Sequence, residues 1–148
     1  MKRSISRIKT LVKLYQYDLL KDDSYEDNFD DLLDELLGTL KNHECDEEFA
    51  DAIYNGVLTN IATIDRVISI NLDNYLLERL SFIDRNILRI GTYELMYTDT
   101  PKQIVINEMI NLSKAYSETD SDLSSKFNNS VLDKIAKFLK ERKTNGGN

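Results

Sequence analysis

A chain of 148 residues and 17.1 kDa is long enough for one domain with a real core and too short for two large ones. With 41% hydrophobic and 30% charged residues the composition is globular rather than disordered, and 5 Gly with 1 Pro leave too few turn-formers for an all-β sandwich or barrel, so helices are expected. A formal charge of −7 opposes indiscriminate binding to nucleic acid, the single cysteine excludes an internal disulfide, and no stretch approaches the roughly 18 uninterrupted apolar residues that span a bilayer.

From the N-terminus, Ile5, Ile8, Leu11, Val12, Tyr15 and Leu19 recur at spacings of three and four, which predicts an amphipathic helix over about 4–20. Arg7, Lys9 and Lys13 interrupt any secretory apolar core, so a cytoplasmic protein without a membrane partner is expected. Charge is segregated: residues 1–17 hold Lys2, Arg3, Arg7, Lys9 and Lys13 and no acid, whereas residues 18–51 hold 14 acids against Lys21 and Lys41. Arg3 and Arg7, and likewise Lys9 and Lys13, lie one turn apart and repel by about 0.2–0.5 kcal/mol per pair. An anionic partner would relieve that repulsion; a plainly solvated chain end is the alternative.

Asp22 to Asp27 reads as an acidic loop, followed by a short helix with Phe29, Leu32, Leu33, Leu36, Leu37 and Leu40. A third helix is predicted from near Asp46, whose acidic first turn complements the helix dipole, with Phe49, Ile53, Val57, Ile61, Ile64 and Ile68 as its buried stripe. The pattern loosens around Leu72 to Leu80, and Ser81 then offers an N-cap to a helix burying Ile83, Ile87, Leu88, Leu95 and Met96. Gly91 inside it costs about 1 kcal/mol relative to Ala, which suits either close helix–helix approach or a tolerated surface position. Thr100-Pro101-Lys102-Gln103 reads as a helix start with Thr100 as cap, Pro101 at the first position and Gln103 reaching back, followed by the core stripe Val105, Met109, Leu112 and Tyr116. After a polar break at Ser117 to Ser125, a last helix carries Phe127, Val131, Leu132, Ile135, Phe138 and Leu139, and residues 143–148 are expected to fray. Six bases against two acids between Lys126 and Lys143 permit a local phosphate site. About six helices with short connections make an all-α bundle.

Catalytic machinery is not visible. His43 and Cys45 are the only residues of their kinds, too few for a zinc site without distant carboxylates. The acids at 22–35 lack the order and glycine of a calcium loop, and no Gly-rich phosphate loop occurs. Neither an enzyme nor a metal or other cofactor is expected; by elimination the function is binding.

Three blocks carry a family resemblance: Leu80-Ser81-Phe82-Ile83-Asp84-Arg85-Asn86-Ile87-Leu88-Arg89-Ile90 continuing to Tyr93-Glu94-Leu95, then Pro101 through Val105-Ile106-Asn107-Glu108, then Lys126-Phe127-Asn128-Asn129-Ser130-Val131-Leu132-Asp133. In order and spacing they resemble the NusB family of transcription antitermination factors, with a shorter match at Ser6-Arg7 and Leu14-Tyr15. The resemblance implies a NusB-like helical bundle, a single domain over 1–148 made of two small packed helical subdomains, about 1–72 and about 77–142. It also implies an RNA-binding factor that pairs with NusE, a small-subunit ribosomal protein, and binds single-stranded boxA RNA of nascent ribosomal RNA transcripts within the RNA polymerase antitermination complex. Monomer and homodimer are both left open.

On the same resemblance, Arg3 and Arg7 match the family's N-terminal RNA-contacting motif, with Lys2 and Lys9 compensating for Ser4 and Ile5, which stand where basic residues are common. Tyr15 and Asp84 match partner contacts, and Phe127 matches an aromatic near both RNA and partner. The family's acidic RNA-side residue falls on Asp120 or Asp122, because the preceding loop is about three residues longer than usual. Each has a plainer alternative: core for Tyr15 and Phe127, helix-dipole service for Asp84. Asn128 and Ser130 depart from the usual Val and Gly, and Arg89, Asn107 and Glu108 suit buried structural roles. The competing function is a helical protein–protein adaptor with little RNA binding of its own, motivated by the −7 charge.

Overall fold

The computed structural model describes residues 2–21, 38, 43–117 and 120–145. Its described residues are all-α, with six α-helices: α1 Lys2–Lys21, α2 Glu47–Thr59, α3 Ile61–Ile70, α4 Phe82–Tyr97, α5 Lys102–Tyr116 and α6 Ser121–Asn145, plus a 3₁₀ turn at Leu77–Arg79. The acidic loop expected at Asp22 to Asp27 and the leucine-rich helix from Phe29 to Leu40 lie outside the described residues, Gly38 excepted. No helix among the described residues is long and apolar enough to cross a membrane. Two compact units divide the chain, Met1–Thr59 and Asn60–Asn148.

In the first unit α1 packs on α2. The predicted stripe of α1 is buried at Ile5, Ile8, Leu11, Val12 and Tyr15, and α2 answers with Ala50, Ile53 and Val57. Two small polar residues, Ser6 and Thr10, are fully buried on this seam. Asp46 N–H donates to Ser6 Oγ at 2.7 Å, and the Ser6 hydroxyl, with one proton, is shared between the carbonyls of Lys2 at 2.8 Å and Asp46 at 2.9 Å. Thr10 Oγ1 is placed likewise between the Ser6 carbonyl at 3.0 Å and the Ala50 carbonyl at 3.2 Å. Asp46 then caps α2, its Oδ1 accepting from Phe49 N–H at 3.1 Å.

The single helix predicted from Asp46 to Ile68 is two. Asn60, at φ −110° and ψ 19°, leaves the helical path, and its carbonyl accepts from Ile64 N–H at 2.9 Å to start α3. The apolar spacing runs through this break in the helix unchanged, which is why periodicity alone hides it. The change of unit comes at Asn60, ahead of the 72–76 break in the pattern, because α3 packs on α4. Arg89 on α4 grips Asp65 on α3 with two parallel bonds of 2.8 Å, Nε to Oδ1 and one terminal nitrogen to Oδ2, and its other terminal nitrogen donates to Asn86 Oδ1 at 3.1 Å. A bidentate pair of this kind fixes orientation as well as distance, the structural role expected of Arg89. Asn107, by contrast, is exposed and accepts from Gln103 at 3.1 Å.

The second unit is centred on α4, α5 and α6, which pack on one another in all three pairings. Ile83, Ile87, Leu88, Ile90, Met109 and Leu132 are fully buried there. Ser81 caps α4 as predicted, accepting from Asp84 N–H at 3.1 Å. The start of α5 differs: Pro101, not Thr100, is the cap residue, because its carbonyl accepts from both Ile104 N–H at 3.0 Å and Val105 N–H at 3.1 Å, and no side chain closes a capping box. Helix α6 starts at Ser121, within the polar segment read as a break, and runs past Lys143 to Asn145, inside the stretch expected to fray.

Gly91 marks close approach rather than a surface position. A Cβ there would sit 2.9 Å from Leu132 Cδ2 and 3.0 Å from Met109 Cγ, so α4 meets α5 and α6 through the missing side chain. Overpacking a core of this kind costs about 1–3 kcal/mol. Gly91→Val is therefore expected to lower the unfolding free energy by about 1–3 kcal/mol despite leaving the helix interior without a glycine, as read by urea denaturation of the full chain.

Candidate nucleic-acid interface

Helix α1 presents its cations to acids of its own unit. Lys2 Nζ lies 3.4 Å from Glu44 Oε2, Lys9 pairs with Glu47, and Lys13 Nζ lies 3.7 Å from Asp51 Oδ1. The register explains it: Lys9 and Lys13 are four apart on α1, Glu47 and Asp51 four apart on α2, so two like-charged pairs cancel across the seam. Relief of the repulsion expected along α1 is thus intramolecular. Exposed pairs of this kind contribute only about 0–1 kcal/mol each, but they lower the free positive charge that a phosphate would meet.

The two arginines matched to the RNA-contacting motif are held differently from each other. Arg7 is only 2% exposed, which does not suit direct contact, while Arg3 is exposed. Both guanidiniums stack over the ring of Phe49, at 4.5 Å for Arg3 and 5.0 Å for Arg7. Phe49 is a residue whose role sequence reasoning missed, having been counted only as stripe. Ser6, one residue before Arg7, anchors to the start of α2, and that contact seats the arginine over the ring.

Lys9, His43, Glu44, Cys45 and Glu47 line a pocket of about 400 Å³. Cys45 Sγ donates to Glu47 Oε1 at 3.1 Å. That bond to Glu47 raises the Cys45 pKa above its ordinary value, keeping a thiol rather than a nucleophilic thiolate. The Lys9 ammonium is pushed up chiefly by its hydrogen bond to Glu47, and the Glu47 carboxyl is held down first by Lys9 and then by the Cys45 thiol. Among the described residues no group of three or more His, Cys, Asp or Glu side chains is placed to hold a metal ion.

In the second unit Asp84 is 8% exposed and joins three elements. Its carboxylate accepts from Ser117 Oγ at 3.4 Å, Ser124 Oγ at 3.4 Å and Asn128 Nδ2 at 3.3 Å. The shorter bonds are those the donors make elsewhere, Ser117 Oγ to Ser124 Oγ at 2.8 Å and Asn128 Nδ2 to Ser113 Oγ at 2.8 Å. Asp84 is therefore the acceptor that draws the end of α5 and the first turns of α6 onto α4, and Asn128, which departs from the family's usual apolar residue, is a working part of that network. Asp120 caps α6, its Oδ1 accepting from the N–H groups of Asp122 at 3.0 Å and Leu123 at 3.3 Å; Asp122 is exposed in the first turn.

Phe127, one residue before Asn128, is half-buried and meets the edge of Tyr75 with ring centroids 5.4 Å apart. Tyr75 was not legible beforehand, since the loop before the 3₁₀ turn has no periodicity to reveal a partner. Tyr15, expected at the partner surface or in the core, is 6% exposed in the first unit. The structure thus brings Arg3 with Arg7, and Asp84 with the turns of α6 that carry Phe127; Lys2 and Lys9 face acids instead.

Residues 4–137 match the sequence pattern of the NusB family. A transcription antitermination protein NusB of Fervidobacterium nodosum is 49% identical over 83 residues, 55% of this chain and 57% of that protein, so the chain spans little more than half the length of this relative. A transcription antitermination protein NusB of Listeria monocytogenes is 37% identical over 139 residues, covering 92% of this chain and 97% of the relative. Among solved structures, a chain in a crystal structure of antitermination factors NusB and NusE in complex with double-stranded RNA aligns over 90% of this chain and 95% of its own, with a TM-score of 0.68 and 28% identity.

Two outcomes follow from these contacts. Asp84→Ala removes the acceptor shared by half-buried Ser117 and by buried Ser124 and Asn128, and is expected to destabilise the protein by about 1–3 kcal/mol, read by thermal melts. For the Lys9 and Glu47 pair, the lowered Glu47 pKa means that its stabilising contribution is present above the ordinary carboxylate range and lost as pH falls through the lowered value. In an NMR titration, Lys9→Ala should move the Glu47 midpoint upward, toward that of a free carboxylate.

Proposed function

The chain belongs to the NusB family, and from that premise we propose that it is a non-enzymatic transcription antitermination factor of the cytoplasm. It pairs with NusE and, as part of the RNA polymerase antitermination complex, binds boxA RNA in nascent ribosomal RNA transcripts. The observation that carries this reading is the match over 90% of the chain to a component of a NusB–NusE–RNA assembly, at a TM-score of 0.68. Within it, Arg3 is the exposed cation near the start of α1 that is offered to phosphate, Lys2 being exposed but paired with Glu44, and Arg7, stacked over Phe49, positions Arg3 rather than meeting solvent. Asp84 acts on the partner side through its network, ordering the turns of α6 from which Phe127 projects. Tyr15 acts from beneath the surface of α1.

The second reading, a protein adaptor with little RNA binding of its own, is favoured by the pairing of Lys2, Lys9 and Lys13 with acids. A full binding cycle separates the two. RNA is titrated into the free protein and into its complex with the ribosomal protein, and each partner should tighten the other by the same factor, about 5–150-fold for a coupling of about 1–3 kcal/mol. Equal RNA affinities in both titrations would remove the cooperative model, and absence of RNA binding in both would leave the adaptor. In the same assay Arg3→Ala is expected to flatten the slope of log K against log salt by about 0.7, one single-strand phosphate contact.

A further inference from the structure

The acids that meet the lysines of α1 stand in register with them. Ser6 with Asp46 and Thr10 with Ala50 are each 40 residues apart, and Lys9 with Glu47 is 38 apart, so α1 and α2 run side by side in the same direction through this seam. Lys13 and Asp51 repeat the Lys9 and Glu47 pair one turn later, about 6 Å along the axis. Glu44, ahead of α2, does the same for Lys2. The pairs also support one another: Lys9 and then the Cys45 thiol hold the Glu47 carboxyl down, and the charge of Lys13 adds to them. Glu48, the other exposed acid in the first turn of α2, meets no cation among the described residues.

The remaining cations of α1 are handled otherwise. Lys21 lies over the ring of Tyr17 in the last turn, where the helix dipole favours it. Arg3 and Arg7 sit over Phe49, and a ring neutralises no charge. Arg3 is exposed and meets no acid among the described residues.

A carboxylate offers an ammonium what a phosphate offers it, a negative charge and oxygen acceptors. Held on the same chain, it does so at a fixed, high effective concentration. Phosphate affinity comes from neutralising charge and releasing counterions. Exchanging a carboxylate for a phosphate on a paired lysine releases little, however easily the exposed pair opens, and it leaves the displaced acid beside the RNA backbone.

We infer that Glu44, Glu47 and Asp51 are an intramolecular stand-in for phosphate that keeps Lys2, Lys9 and Lys13 out of RNA contact and leaves Arg3 as the cation through which α1 meets the backbone. This rests on the RNA-binding reading above and deepens it by dividing the cations of α1 into one that touches phosphate and three that are masked. The Lys2 and Lys9 compensation expected for Ser4 and Ile5 is thereby cancelled within the first unit.

The test uses the full chain with its ribosomal-protein partner and a fluorescein-labelled single-stranded RNA bearing a boxA-type element, followed by anisotropy over a range of salt, with thermal melts on every variant. Glu44→Gln with Glu47→Gln and Asp51→Asn frees three lysines and should steepen the slope of log K against log salt by about 2.1, three single-strand phosphate contacts. Glu48→Gln with Asp99→Asn and Glu141→Gln, the same charge change at exposed positions that face no lysine of α1, should leave the slope near its original value. Adding Lys2→Gln, Lys9→Gln and Lys13→Gln to the first variant restores the original net charge without any of the pairs, and the slope should return to that of the wild type. If this last variant is instead flatter than the wild type, the lysines already reach phosphate and the mask is refuted while the RNA reading stands. Equal slopes for the first variant and the Glu48 control refute it as well. RNA binding that appears only once the three acids are neutralised would keep the mask and remove the RNA reading for the native chain, and no binding by any variant removes both.

Discussion

Three helices of the second unit meet at Gly91, where Leu132 of α6 and Met109 of α5 occupy the space a side chain of α4 would fill. That distance constraint is what the rest of the unit depends on. With α6 drawn this close to α4, Ser124 and Asn128 come within reach of the Asp84 carboxylate, and the end of α5 joins through Ser117. Were the helices a side chain further apart, Asp84 would be a buried carboxylate without donors, which is costly. The glycine and the polar network are thus one device, and its product is the fixed presentation of Phe127 on the first turns of α6.

The first unit solves the opposite problem, how to hold six cations on one helix of 20 residues. Small residues at Ser6 and Thr10 let α1 approach α2 closely enough for hydroxyls to reach backbone carbonyls. The same approach brings Lys9 and Lys13 to Glu47 and Asp51, and puts the Phe49 ring under Arg3 and Arg7. Each exposed pair is worth little in stability. Their larger effect is on binding, since an ammonium already neutralised adds less to phosphate affinity than a free one. A basic N-terminal stretch read from composition overstates the positive field it projects.

Much of the fold was legible because helical periodicity, caps and breakers act over a few residues. The stripe of α1, the Ser81 cap and the acidic start of α2 at Asp46 came from local pattern, and each is present; Gly91 was left open between close approach and a surface position until the neighbouring helices were placed. What local pattern could not find was the helix break at Asn60, because the apolar spacing continues through it, or the shift of the α5 cap from Thr100 to Pro101, where two amides converge on one carbonyl. Of the candidate site, exposure was the part that local pattern did not give: Arg7 and Asp84 are buried, and Tyr15 is buried as the plainer of its two readings has it.

Composition and spacing by themselves determined that this chain is helical, which faces of its helices are apolar, where most helices start, and that charge is divided between a basic beginning and an acidic middle. Those properties depend on neighbours three or four residues away. Tertiary structure alone decided which charges remain available. Lys9 and Glu47 are 38 residues apart, and Asp84 and Asn128 are 44 apart; whether such residues meet depends on how two helices are placed, which no local period encodes. The same holds for Tyr75, which lies in a loop with no pattern of its own and gains its place only because α6 passes beside it.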